Sequence, residues 1–144
     1  MNHGLEITPD GKTIFVSSVA SVFAYSYDAA AGTVGTKKAV ITGMNIPGPY
    51  HLTRTLRIPK ANPDLLMVQR GSDGNIDSGA IDATTGKSQV RVFNITSILA
   101  TPVVYTAAGD VLGLGLRNSV GWGQHPVTHE IVSYDHSSYL QDCG

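Results

Sequence analysis

The chain has 144 residues, 42% hydrophobic and 15% charged, with a net charge of −1. That is room for one domain with an ordinary apolar core, and the low charge excludes a disordered segment. No Lys/Arg cluster gives an electrostatic case for nucleic acid. No apolar run approaches the roughly 20 residues needed to cross a bilayer.

Short runs rich in Val, Ile, Phe, Tyr and Thr lie between turn residues, with 16 Gly and 7 Pro punctuating them. This pattern predicts strands. The first run covers residues 13–18 and follows Asp10-Gly11, a tight turn in which Gly supplies the positive φ. Residues 21–27 alternate, with aromatics at Phe23, Tyr25 and Tyr27. Residues 28–35 read as a hairpin connection, because Gly32 and Gly35 break the short Ala29-Ala30-Ala31 stretch. Further strands are expected at 38–42, 53–58, 64–69, 88–94, 111–116 and 130–134. Helical periodicity is weak throughout, so the expected class is all-β.

An internal repeat narrows the class. Residues 5–17, 56–68 and 120–132 each run from an apolar segment through a Pro-centred turn into a strand. The turn prolines are Pro9, Pro63 and Pro126, spaced 54 and then 63 residues apart. Propeller blades recur at about 40–50 residues, more with loop insertions. Each unit then corresponds to the two inner strands of one blade. A ring needs at least four blades, so the expected architecture is a β-propeller fragment of two to three blades.

Three polar elements precede the repeat units: Asn2-His3, His51 within Pro49-Tyr50-His51-Leu52-Thr53-Arg54, and Arg117-Asn118. Equivalent positions on successive blades face one axis, which places them around one site. The loop Arg70-Gly71-Ser72-Asp73-Gly74-Asn75 follows the strand after His51. His3, His125, His129 and His136 lack metal-ligand spacing such as His-Glu-x-x-His, so zinc is not expected.

Taken in order, Asn2-His3-Gly4-Leu5, Pro9-Asp10-Gly11-Lys12, the His51 to Leu56 run, Asn62-Pro63-Asp64-Leu65-Leu66, the Arg70 to Asp77 loop and Gly115 to Gly121 form a set. The set resembles the fungal pyrroloquinoline-quinone-dependent pyranose (sorbosone) dehydrogenases and, more distantly, the soluble quinoprotein glucose dehydrogenases. The resemblance runs over about residues 2–137 and implies part of a six-bladed propeller. It implies that His51 is the base that removes a sugar hydroxyl proton while hydride passes to the quinone. A histidine, with an ordinary pKa near 6.5, suits that role. It implies that Arg117 and Asn118 contact the quinone, a tricarboxylate that an arginine fork fits. Asp73 and Asn2 fall at further polar cofactor or substrate positions.

The same resemblance implies calcium, with ligands in the segment after Ser133, although which residues bind metal is left open. It also implies a sugar substrate, a cytochrome or other electron acceptor, and secretion. The sequon Asn94-Ile95-Thr96 adds slightly to the last. The start, Met1 to Leu5, has no basic or apolar leader region, and Cys143 is the single cysteine. Residues 138–144 depart from the family pattern as a divergent tail, and later blades are missing. The chain is therefore expected to be a truncated part of a longer enzyme and inactive alone. Two alternatives stand beside it: a non-catalytic propeller module that binds a glycan or protein, and an inactive truncated product.

Overall fold

The computed structural model describes residues 4–44 and 50–136. Twelve strands, one short helix and two 3-10 turns account for the described regular structure. The expectation of an all-β chain holds. No helix among the described residues is long and apolar enough to cross a membrane.

The first sheet is built from β1 (Leu5–Ile7), β2 (Thr13–Ser17), β3 (Val22–Asp28) and β5 (Lys38–Thr42), each antiparallel to the next. The short β4 (Thr33–Val34) folds back on β3, so residues 28–35 do form a hairpin connection. The second sheet is β6 (Leu56–Arg57), β7 (Leu65–Arg70), β8 (Gln89–Asn94) and β10 (Asp110–Leu114), again antiparallel. The third is the pair β11 (Ser119–Gln124) and β12 (Ile131–Asp135). Four-stranded antiparallel sheets met in succession along the chain are the blades of a propeller-type fold. The three repeat units are the hairpins β1–β2, β6–β7 and β11–β12. Their turns lie at Pro9, Pro63 and Pro126, and Gly11 takes φ +69° in the first of them.

Helix α1 (Ile95–Ala100) and β9 (Val103–Val104) were not expected from the pattern. Asn94 caps the helix, its side-chain oxygen accepting the Ser97 amide at 2.9 Å, and Ile95 and Ile98 go into the core. The chain then crosses to the first sheet, where β9 lies parallel to β5 through Ile41–Val103 and Thr42–Val104. This crossing ties the second sheet to the first. The core fills the space between them with Phe15, Val22, Ile41, Met44, Leu66, Val68 and Phe93, closed by Ile98 and Tyr105.

Candidate functional site

At one end of the sheets, the segment leading into β6, the loop after β7 and the segment leading into β11 meet. Gly71 makes the meeting possible. A Cβ there would lie 2.7 Å from the His51 Cβ and 2.8 Å from the Arg117 carbonyl oxygen, so only glycine fits. The next residue joins both neighbours. The Ser72 amide donates to the Arg117 carbonyl at 2.9 Å, and the His51 ring lies against Ser72.

His51 Nδ1 is 3.0 Å from the Ser72 carbonyl oxygen and 2.8 Å from Ser72 Oγ. A carbonyl oxygen only accepts. The Ser72 hydroxyl spends its proton on the Gly74 carbonyl at 2.7 Å, so its oxygen also accepts from the ring. Both contacts assign the ring proton to Nδ1 and leave the lone pair on Nε2. Partial burial holds the His51 pKa below the usual histidine value, with nearby Arg117 and His136 acting the same way; the Ser72 hydrogen bond and Asp135 oppose them. The ring is therefore kept neutral and basic at Nε2. The backbone of His51 is left-handed, with φ +40°.

Arg117 and Asn118 share a carboxylate. Asp135 accepts the Asn118 amide at 2.6 Å through Oδ1 and the Arg117 amide at 3.1 Å through Oδ2. The Asn118 side-chain oxygen accepts from Thr53 Oγ1, two residues from His51. The Arg117 guanidinium donates to the His136 carbonyl at 2.6 Å and to the Asn75 side chain. Its Nε is buried with no partner among the described residues. The cluster thus sets an imidazole, a guanidinium and a side-chain amide side by side, a set that fits an oxygen-rich anionic group such as a polycarboxylate quinone.

The structure therefore brings His51, Arg117 and Asn118 together, as their places ahead of the blade strands suggested. Asp73 lies in the adjoining loop, where its carboxylate faces Arg70 at 3.2 Å and Lys87 at 2.8 Å. Its amide donates to Asp77 Oδ2 at 2.7 Å. These bonds stiffen the turn that carries Ser72. Asn2 lies outside the described residues, as does the divergent tail at 138–144. Sequence reasoning did not single out Ser72, Thr53, Asn75 or Asp135. The signal for Ser72 was its place in the loop beside Asp73. Asp135 falls in the segment expected to provide calcium ligands, and its two oxygens are engaged by the amides of Arg117 and Asn118. Among the described residues no group of three or more His, Cys, Asp and Glu is gathered as a metal site.

The chain is similar to known proteins along nearly its whole length. A family model described as TrAA12-like matches residues 1–141. A pyrroloquinoline quinone-dependent sugar dehydrogenase of Hypocrea jecorina is 41% identical over 140 residues, covering 95% of this chain and 32% of that protein. A solved structure, the holo form of the pyranose dehydrogenase PQQ domain from Coprinopsis cinerea, superimposes with a TM-score of 0.87 at 36% identity. It covers 95% of this chain and 33% of its own. The calcium structure of a Trichoderma reesei carbohydrate-active enzyme of family AA12 gives a TM-score of 0.86 at 41% identity, covering 95% and 34%. The chain spans about a third of the length of these relatives.

Proposed function

Because the chain belongs to the TrAA12-like family, we propose that it forms part of the catalytic propeller of a quinone-dependent sugar dehydrogenase. The observation that carries this reading is the seat of His51, whose Nδ1 lies 3.0 Å from the Ser72 carbonyl oxygen and 2.8 Å from Ser72 Oγ, in the same cluster as Arg117 and Asn118. In this reading His51 takes the proton of a pyranose hydroxyl at Nε2. Ser72 keeps the ring oriented and its other nitrogen protonated. Arg117 and Asn118 hold cofactor oxygens and steady the negative charge that develops on them. Pyrroloquinoline quinone, when bound, supplies the hydride acceptor. Asp73 braces the loop through Arg70 and Lys87, and Asn2 adds a polar contact near the substrate.

Calcium belongs to the same reading, on the strength of the relative whose structure carries that name. The described carboxylates are not grouped for it, and calcium is also held by backbone carbonyl and amide oxygens. A cytochrome or similar carrier takes the electrons, and the protein is secreted. Asn94 is exposed, as a glycosylated residue must be, and its side-chain oxygen is occupied by the helix cap.

The test uses a full-length protein containing this chain, assayed by quinone-dependent reduction of a dye with pyranose sugars. His51→Gln is expected to lower kcat by a factor of about 100 or more, while quinone binding, followed by absorbance, persists. Arg117→Met is expected to weaken quinone binding. Unchanged turnover in His51→Gln removes the assignment of the base.

A further inference from the structure

Arg54 is fully buried, with 0% of its surface exposed. Among the described residues its hydrogen bonds all go to backbone carbonyls. Nε donates to Val19 at 3.0 Å, Nη2 to Met44 at 2.9 Å, and Nη1 to both His51 at 2.9 Å and Thr53 at 2.7 Å. A buried charge without a hydrogen-bonded carboxylate is costly unless its donors are satisfied. Here four carbonyl dipoles do that work. Burial, reinforced by neighbouring Arg70, pulls the Arg54 pKa down to about 10, which still leaves it charged at neutral pH.

The four carbonyls are not equivalent. Val19 and Met44 belong to the first sheet's connections, after β2 and after β5. His51 and Thr53 belong to the segment that enters the second sheet. One rigid fork therefore pins the site segment to the neighbouring blade. The His51 carbonyl is part of a left-handed residue, a conformation that a non-glycine side chain keeps only when its surroundings impose it. Arg70 adds the second half. Its Nε donates to the same Met44 carbonyl at 3.2 Å, and its chain continues directly into Gly71 and Ser72. The limb bearing His51 and the limb bearing Ser72 thus hang from one oxygen.

We propose that Arg54 is a positioning residue that holds the left-handed His51 backbone against Ser72 and so keeps the imidazole proton on Nδ1. The role of that tautomer in sugar oxidation rests on the functional reading above; the positioning itself does not.

The test reads the tautomer directly in a full-length protein containing this chain, labelled with nitrogen-15. Long-range proton–nitrogen correlations of the histidine rings are recorded where the rings are neutral, with His51→Gln identifying the His51 signals. The unsubstituted chain is expected to show a single Nδ1–H tautomer. Arg54→Lys keeps the charge, but one ammonium group cannot span four carbonyls. It is expected to lose that single tautomer while the β7 and β8 amides stay in place. An unchanged tautomer in Arg54→Lys overturns the proposal. Should that variant not fold, the unsubstituted chain decides: the Arg54 Nε–H is expected to exchange with solvent no faster than the β7 amides. Fast exchange alongside a persistent single tautomer overturns it equally. Neither measurement contains quinone or sugar. A tautomer that responds to Arg54 in a protein that never binds quinone removes only the functional reading.

Discussion

Between the first and second sheets lie Phe15, Val22, Ile41, Met44, Leu66 and Val68, every one with 0% exposure. Between the second and third sheets Met67 and Val90 are buried, whereas Leu116, Trp122 and Ile131 are half-buried and Leu112 is 61% exposed. The first seam is apolar through its core, and at the end beside His51 the buried Arg54 fork crosses it. The second is apolar at one end and polar at the other, where it is held by Thr53 to Asn118, Thr55 Oγ1 to the Ser119 carbonyl at 2.9 Å, and Ser72 to the Arg117 carbonyl. The candidate site occupies that polar end. Apolar packing, with the Arg54 fork at one end, fixes how the first two blades lie, while directional hydrogen bonds alone fix where the polar segments of the second and third blades meet.

The largest effects should follow the apolar core of the first seam. Phe15→Ala removes a ring from full burial and is expected to cost about 3–5 kcal/mol. Trp122→Ala on the open groove is expected to cost about 1 kcal/mol. Urea titrations of both variants check the pair, and equal losses would erase the distinction between the seams. The next effect belongs to the polar end. Asp135→Asn leaves a single acceptor oxygen for the amides of Arg117 and Asn118, which Asp135 now accepts separately. A loss of about 1–3 kcal/mol is expected, with faster amide exchange at residues 117 and 118 and little change in β2 or β3. A uniform rise in exchange across all three sheets would mean that Asp135 supports the whole fold and not only the seam.

The same contrast explains what could be read in the sequence. The strands at 13–18, 21–27, 38–42, 64–69 and 88–94 were legible because their alternation reflects local burial, and the structure shifts their ends by a residue or so. The strand expected over 53–58 shrinks to Leu56–Arg57. The preceding threonines serve Asn118 and Ser119, a use that β-propensity does not report. Helix α1 is six residues long, too short for a periodic signal, and β9 pairs with residues some 60 positions earlier. In the candidate site, the grouping of His51, Arg117 and Asn118 at one end of the sheets was legible from their repeated position ahead of blade strands. Ser72 and Asp135 were not, because their roles arise from partners 17 to 21 residues away, on the facing limb of their own blade.

The smallest effect concerns protonation at the polar end. Desolvation, then Arg117 and His136, hold the His51 pKa below its unfolded value, against the opposing influence of Ser72 and Asp135. Below about pH 6.5 the unfolded chain therefore binds more protons at this position than the folded chain. The His51 contribution to stability is complete above that pH and is lost as pH falls from the unfolded value toward the folded one. The ring is only partly buried, so the effect is modest. Urea midpoints of the wild-type chain and His51→Gln, compared from pH 7.5 to 5, isolate it from the other histidines. The two curves are expected to run parallel above pH 7 and to converge or cross below 6.5 as the wild type alone pays for an excluded proton. Parallel curves throughout would place His51 in ordinary solvent, and the polar seam would then owe nothing to a desolvated base.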